Sequence, residues 1–180
     1  TKAVMEQNMA LIDSHTLVMT LQNGAGNNRD IAQFADKDNI LVGTSNHNSV
    51  IKGLGVFYHS CDGVTNIGPD VRNEENVKKA EKIAEMLERC GFETHVMEDI
   101  QRVLWNKLFL NCGINGLTML TENKMGAVYE NPYLWSVCQN LIRECIEVAK
   151  ADGTHFTANE VMKKMKNLCV EGATGVTSMY

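Results

Sequence analysis

Lys107, Asn111, Asn115 and Thr118 are spaced i, i+4, i+8 and i+11. In a helix turning about 100° per residue they share an arc of about 80°, so one polar stripe carries a cation, two carboxamides and a hydroxyl. Such a set can hold a polar ligand, meet negative charge as it grows and donate a proton. It is a poor metal site, because lysine and asparagine amides ligate weakly beside histidine, cysteine or carboxylate. Leu104, Leu108, Leu110 and Ile114 flank the stripe, which sets it apart from a solvated face built of Glu and Lys pairs. The far side carries Phe109, Cys112, Gly113 and Gly116, and each glycine inside a helix costs about 1 kcal/mol relative to alanine, so a close approach is expected there. The alternative is a buried helix whose polar groups are satisfied internally.

The elements that must position these residues fall into two kinds. Apolar periodicity predicts a helix over residues 2–13, and the run Thr16–Leu21 reads as a strand buried on both faces of a parallel sheet. Gln22-Asn23-Gly24-Ala25-Gly26-Asn27-Asn28 then leads to a helical pattern over residues 29–35, a strand-to-helix turn of the kind that meets ligands in open α/β sheets. Asn-Gly is also a hairpin signal, which leaves that second reading open. Strand-like pieces at 40–45, 55–59 and 64–68 predict a small meander. Asn73 opens an amphipathic helix with Val77, Ala80, Ile83, Ala84 and Leu87 inward, closed by Cys90-Gly91, and residues 92–97 read as a last strand.

Beyond residue 98 the pattern becomes wholly helical, which places a domain boundary there. Residues 131–151 put Leu134, Val137, Cys138, Leu141, Ile142, Cys145, Val148 and Ala149 on one face, with Asn131-Pro132 as the cap and first position. A third helix covers residues 157–169, and residues 172–178 read as a loop. The expected fold class is α/β, a strand-containing part over 1–98 followed by an all-helical part over 99–180.

The bulk numbers narrow the function. At 44% hydrophobic and 22% charged, the 180 residues can build a core. A net charge of −5 gives no footprint for nucleic acid or an anionic membrane, and the cluster Lys163-Lys164-Met165-Lys166 reads as a solvated helix face. The acidic excess lies in residues 1–98, while residues 99–180 are net neutral. Six cysteines without a CxxC pair read as reduced thiols in a cytoplasm, and the five histidines lack HxxxH spacing, so no metal is expected. No apolar run reaches the roughly 18 residues that span a bilayer. The chain opens inside a helical pattern without methionine and stops without a closing element, so sequence missing at both ends is expected.

Four blocks occur in order: Leu21-Gln22-Asn23-Gly24-x-Gly26, Asn66-Ile67-Gly68, Trp105-x-Lys107-x-x-x-Asn111-x-x-x-Asn115-x-Leu117-Thr118, and Thr177-Ser178-Met179. Together they resemble the 2-dehydropantoate 2-reductase, or ketopantoate reductase, family. The resemblance implies an NADPH-dependent reduction of ketopantoate to pantoate on the way to pantothenate and coenzyme A. It implies a Rossmann-type dinucleotide-binding domain, here its C-terminal part over residues 1–98. A helical substrate and dimerisation domain of the 6-phosphogluconate dehydrogenase C-terminal-like kind would follow over 99–180, with the active site in the cleft between them lined by Asn23 and Lys107. Lys107 takes the general-acid role, Asn111, Asn115 and Ser178 bind substrate, and Asn23 lies near the nicotinamide end of the cofactor. The implied partners are a 2-keto acid and a second copy of the chain.

The family's GxGxxG phosphate loop belongs upstream of the QNG turn, and an acidic residue beyond the Ser-Met motif would fall past Tyr180. Lys2 is too close to Asn23 to inherit the family's cofactor-side lysine role. Two rivals remain: a reductase of another 2-keto or 2-hydroxy acid, and a non-catalytic helical interaction module joined to an α/β remnant.

Overall fold

The computed structural model describes residues 1–179, and the chain divides into two compact units, Thr1–Leu104 and Trp105 onward. In the first unit α1 (Lys2–Gln7) and a 3-10 turn (Met9–Leu11) replace the single helix expected over 2–13: Met5 is buried and Ile12 packs against the same core, while Val4, Met9 and Leu11 are exposed. The chain then passes through β1 (Val18–Thr20), a turn, α2 (Asn27–Ile31) and β2 (Ile40–Ser45). β1 runs parallel to β2 with Val18 opposite Ile40, as a strand-helix-strand crossover requires. The strand-to-helix reading of the QNG turn therefore holds over the hairpin reading, although α2 begins earlier and ends sooner than the 29–35 pattern. β1 is at the edge of the four-stranded sheet and only half-buried, so it is not covered on both sides as expected.

The meander is the larger correction. After β2 the chain leaves the sheet for a hairpin, β3 (Asn48–Gly53) and β4 (Val56–Cys61), and returns as β5 (Thr65–Pro69), antiparallel to β2. β3 and β4 are both fully exposed, but β4 carries the strand formers Val56, Phe57 and Tyr58, whereas β3 is diluted by Asn48, Ser49, Lys52 and Gly53 and escaped the sequence reading. α3 (Glu74–Arg89) follows, capped by the Asn73 side chain accepting from the Asn76 N–H, and β6 (Thr94–Val96) pairs parallel to β5. The sheet order is β1-β2-β5-β6, mixed because a hairpin instead of a helix connects β2 to β5. Period-2 alternation sends Ile40 and Val42 into a core with Met5, Ile31 and Ile100. α3 packs on β5 and β6 with Ala80 and Ala84 buried.

α4 (Ile100–Leu110) crosses from one unit to the other. Ile100, Val103 and Leu104 pack into the first core, while Trp105 and Phe109 belong to the second. The division between the units thus falls six residues past the change of pattern near residue 98. A π-helical turn (Asn111–Asn115), α5 (Gly116–Thr121), α6 (Met125–Glu130), α7 (Pro132–Ala151) and α8 (Ala158–Glu171) complete the second unit, and no described residue after 100 is in a strand. Asn131 accepts from the Tyr133 and Leu134 N–H groups with Pro132 next to it, and Thr157 caps α8 through the Glu160 N–H. Cys138, Ile142, Ile146 and Ala149 are the buried stripe of α7. Val137 and Val148, expected inward, lie about a quarter-turn outside that arc; they are 45% and 58% exposed.

Candidate functional site

The regular helix assumed for Lys107 through Thr118 holds as far as Leu110 and then widens into the π turn Asn111–Asn115. Such turns insert a residue into the i→i−4 ladder and are common at functional sites. The stripe survives the change: Asn115 Nδ2 donates to Asn111 Oδ1 at 2.9 Å, so the two amides still face each other one turn apart. Gly113 is the close approach expected on the far side, since a Cβ there would lie 2.8 Å from Ile142 Cδ1 and 3.3 Å from Cys138 Sγ. Gly116 is not, for a Cβ there would meet nothing within 4 Å.

The amide of Asn115 is the hub. It is 3% exposed, and its Nδ2 also reaches Ser178 Oγ at 3.3 Å, which brings the C-terminal tail onto the helix. Its Oδ1 is buried without a hydrogen-bond partner. An orphaned buried acceptor costs about 1–3 kcal/mol, a penalty that a donor from a ligand or a water would relieve. Thr118 Oγ1 donates to the Asn115 carbonyl at 2.9 Å and shares a 2.7 Å contact with Thr177 Oγ1. Two adjacent tail residues therefore pin to two stripe residues.

Lys107 sits half-buried on α4, one turn before Asn111, and that burial lowers its pKa from the ordinary lysine value. Desolvation disfavours the charged amine, which makes it a readier proton donor than a solvated lysine. Trp105 is 4% exposed and donates through Nε1 to Asp152 Oδ2 at 3.1 Å, tying α4 to the end of α7. No cysteine nucleophile competes with this chemistry on α7 or α8: burial pushes the Cys138 and Cys145 thiols up to about 12 and the Cys169 thiol up to about 11. All six cysteines are free.

Asn23 belongs to the first unit. It is exposed in the turn between β1 and α2, where Gly24 and Gly26 adopt left-handed φ of 99° and 90°, and its carbonyl accepts from Asn27 Nδ2 at 3.4 Å. The structure thus gathers Asn111, Asn115 and Ser178 through hydrogen bonds, places Lys107 on the same helix, and puts Asn23 in a separate unit. Sequence reasoning missed Thr177 as the partner of Thr118 and the Trp105 to Asp152 bond. Both join residues more than 40 positions apart, and no local spacing signals them.

Residues 1–71 match the family model described as ketopantoate reductase PanE/ApbA, and residues 99–180 match its C-terminal counterpart. The 2-dehydropantoate 2-reductase of Halobacterium salinarum is 32% identical over 163 residues, covering 91% of this chain and 53% of the relative. The chain spans about half the length of the curated relatives it matches. Among solved structures, a D-mandelate dehydrogenase in complex with NADH superposes with a TM-score of 0.89 at 22% identity, over 99% of this chain and 60% of the other. A dimeric ketopantoate reductase from Staphylococcus aureus gives 0.73 at 24% identity, over 97% and 62%. The two structures share the fold, a mixed sheet with helices followed by a helical domain, and the family models and curated relatives cover nearly all of the sequence: the chain belongs to the ketopantoate reductase family.

Proposed function

We propose that this chain carries the nicotinamide-side turn and the substrate-holding helix of an NADPH-dependent reductase. The reaction is the reduction of 2-dehydropantoate to pantoate in pantothenate and coenzyme A biosynthesis, with Lys107 as general acid. The observation that carries the reading is the half-buried Lys107 on one stripe with a buried Asn115 that has an unpaired Oδ1 and a bond to Ser178. Membership of the family and the names of its curated relatives support the substrate.

Reduction of a 2-keto acid adds a hydride to the carbonyl carbon, and the π electron pair moves onto oxygen. Protonated Lys107 meets that charge and transfers its proton to the oxygen, leaving a neutral amine, a role typically worth about 10²- to 10⁴-fold. Asn111 and Asn115 orient the substrate by hydrogen bonds and add no formal charge, so they do not bind Lys107 in a salt bridge. Asn115 Oδ1 is suited to accept from the substrate hydroxyl and Ser178 Oγ to hold its polar end. Bound NADPH supplies the hydride. The residues present fit only its nicotinamide end, through Asn23 and the open turn at Gly24 and Gly26. The five-residue α2 is too short to cradle a pyrophosphate at its N-terminus.

Residues 1–98 then act as the C-terminal part of the dinucleotide-binding domain and residues 99–180 as the substrate and dimerisation domain, in a homodimer. The test is a turnover assay of the purified protein with 2-dehydropantoate and other 2-keto acids, each with NADPH and NADH raised to saturation. A kcat/KM highest for 2-dehydropantoate with NADPH is expected. Preference for an aryl 2-keto acid would transfer the reading to a related reductase, and no turnover with any pair would leave the non-catalytic interaction module.

A further inference from the structure

Three metal-ligating side chains meet at the open end of the β3–β4 hairpin: His47 just before β3, His59 in β4 and Asp62 just after it. His47 Nδ1 is 3.1 Å from His59 Nε2, and His59 Nδ1 is 3.7 Å from Asp62 Oδ1. One donor atom from each residue lies within 4.8 Å of the other two. Two nitrogens bound to one tetrahedral zinc ion at about 2.0–2.1 Å stand roughly 3.4 Å apart, a separation close to that of His47 Nδ1 and His59 Nε2, and binding requires the two rings to turn their lone pairs from each other toward the ion.

The backbone makes this meeting a built feature. The ladder pairs Ser49 with His59 and Asn48 with Cys61, which leaves Ser60 as an extra residue, and a bulge of this kind re-aims the side chains beside it. Ser60 Oγ fixes the bulge by donating to the Asn48 carbonyl at 3.2 Å. The Asn46 N–H donates to the Val64 carbonyl at 3.1 Å, and Gly63 lies so close to the backbone of Asn46 and His47 that a Cβ there would overlap it. This closure brings Asp62 to the two histidines. The His47 ring packs edge-on against Phe92 with centroids 5.3 Å apart, and its Nε2 is buried without a partner. Nδ1 is therefore the ring's one bonding atom, and it is aimed at His59.

Without a metal, a protonated His59 can donate through Nε2 to His47 Nδ1 and face Asp62 Oδ1 through Nδ1, an arrangement that puts the charge on an exposed pair, with Asp62 97% exposed. A divalent ion takes both lone pairs and the carboxylate charge at once. We propose that His47, His59 and Asp62 bind a divalent transition-metal ion of the zinc class through two imidazoles and a carboxylate, with water completing the shell. The ion staples the hairpin to the end of the sheet. None of these residues enters the reductase reading, so the two stand or fall separately.

The experiment is titration of chelator-stripped protein with Zn²⁺ and Co²⁺ by calorimetry and by competition with a chromophoric chelator. Binding of one ion is expected, weakened at least about tenfold by His47→Gln or His59→Gln and about tenfold by Asp62→Asn, with Cys61→Ser unchanged. The unmodified protein gives a second readout that requires no variant to fold: Zn²⁺ should protect His47 and His59 from carbethoxylation and slow hydrogen exchange in β3 and β4. Affinity unchanged in both histidine variants, loss of binding with Cys61→Ser, or histidine labelling indifferent to Zn²⁺ would overturn the proposal.

Discussion

In the proposed site Lys107 and Asn115 divide the work by charge and burial. Because burial lowers the Lys107 pKa below 10.5, the folded protein gives up this proton at a lower pH than the unfolded chain does. Between the folded value and 10.5 the unfolded state binds more protons, so this group makes stability rise with pH across that window. Urea unfolding across alkaline pH should show a rise that Lys107→Met removes. The acid role runs the opposite way: kcat/KM should fall on the alkaline side, in step with loss of the Lys107 proton and below 10.5. A rate that is flat up to that value would contradict the role. Asn115→Ala removes the bonds to Asn111 and Ser178 from a buried site, and should raise KM more than it lowers kcat while costing about 1–3 kcal/mol in denaturant unfolding. An unchanged KM would exclude Asn115 from substrate binding.

At the scale of the element, the π turn and the two glycines give a matched pair. Gly113→Ala drives a Cβ into the buried Ile142 side chain and should destabilise by about 1–3 kcal/mol. Gly116→Ala has open space and ordinary helical angles, φ −62° and ψ −38°, and should stabilise by about 0.4–1 kcal/mol. Thermal melts of the two variants check both signs, and equal shifts would refute the packing account. Here the sequence was legible where period and caps act locally: the helix of residues 131–151, its Asn131-Pro132 start and the Asn73 and Gly91 ends of α3 all stood in the pattern. The facing of Asn111 and Asn115 did too. It was illegible where the outcome depended on distant partners. β3 is poor in strand formers and finds its order only through its partner β4, the π turn at Asn111 looks like α-helix to a spacing argument, and Thr177 meets Thr118 across 59 residues.

At the scale of the whole molecule, each unit has its own core, and α4 contributes to both. No helix among the described residues is long and apolar enough to cross a membrane. If, as proposed, Asn23 and its turn meet only the nicotinamide end of the cofactor, the 180-residue chain taken alone should bind NADPH weakly, and micromolar affinity in a fluorescence titration would contradict that assignment. The central claim is that Lys107 is the acid of a keto-acid reduction, and steady-state kinetics with a melting curve on one Lys107→Ala preparation test it most directly. The expected result is a kcat at least about 10²-fold lower with the melting temperature and NADPH affinity nearly unchanged. Near-normal kcat with a lowered melting temperature would show that Lys107 supports the helix and not the chemistry.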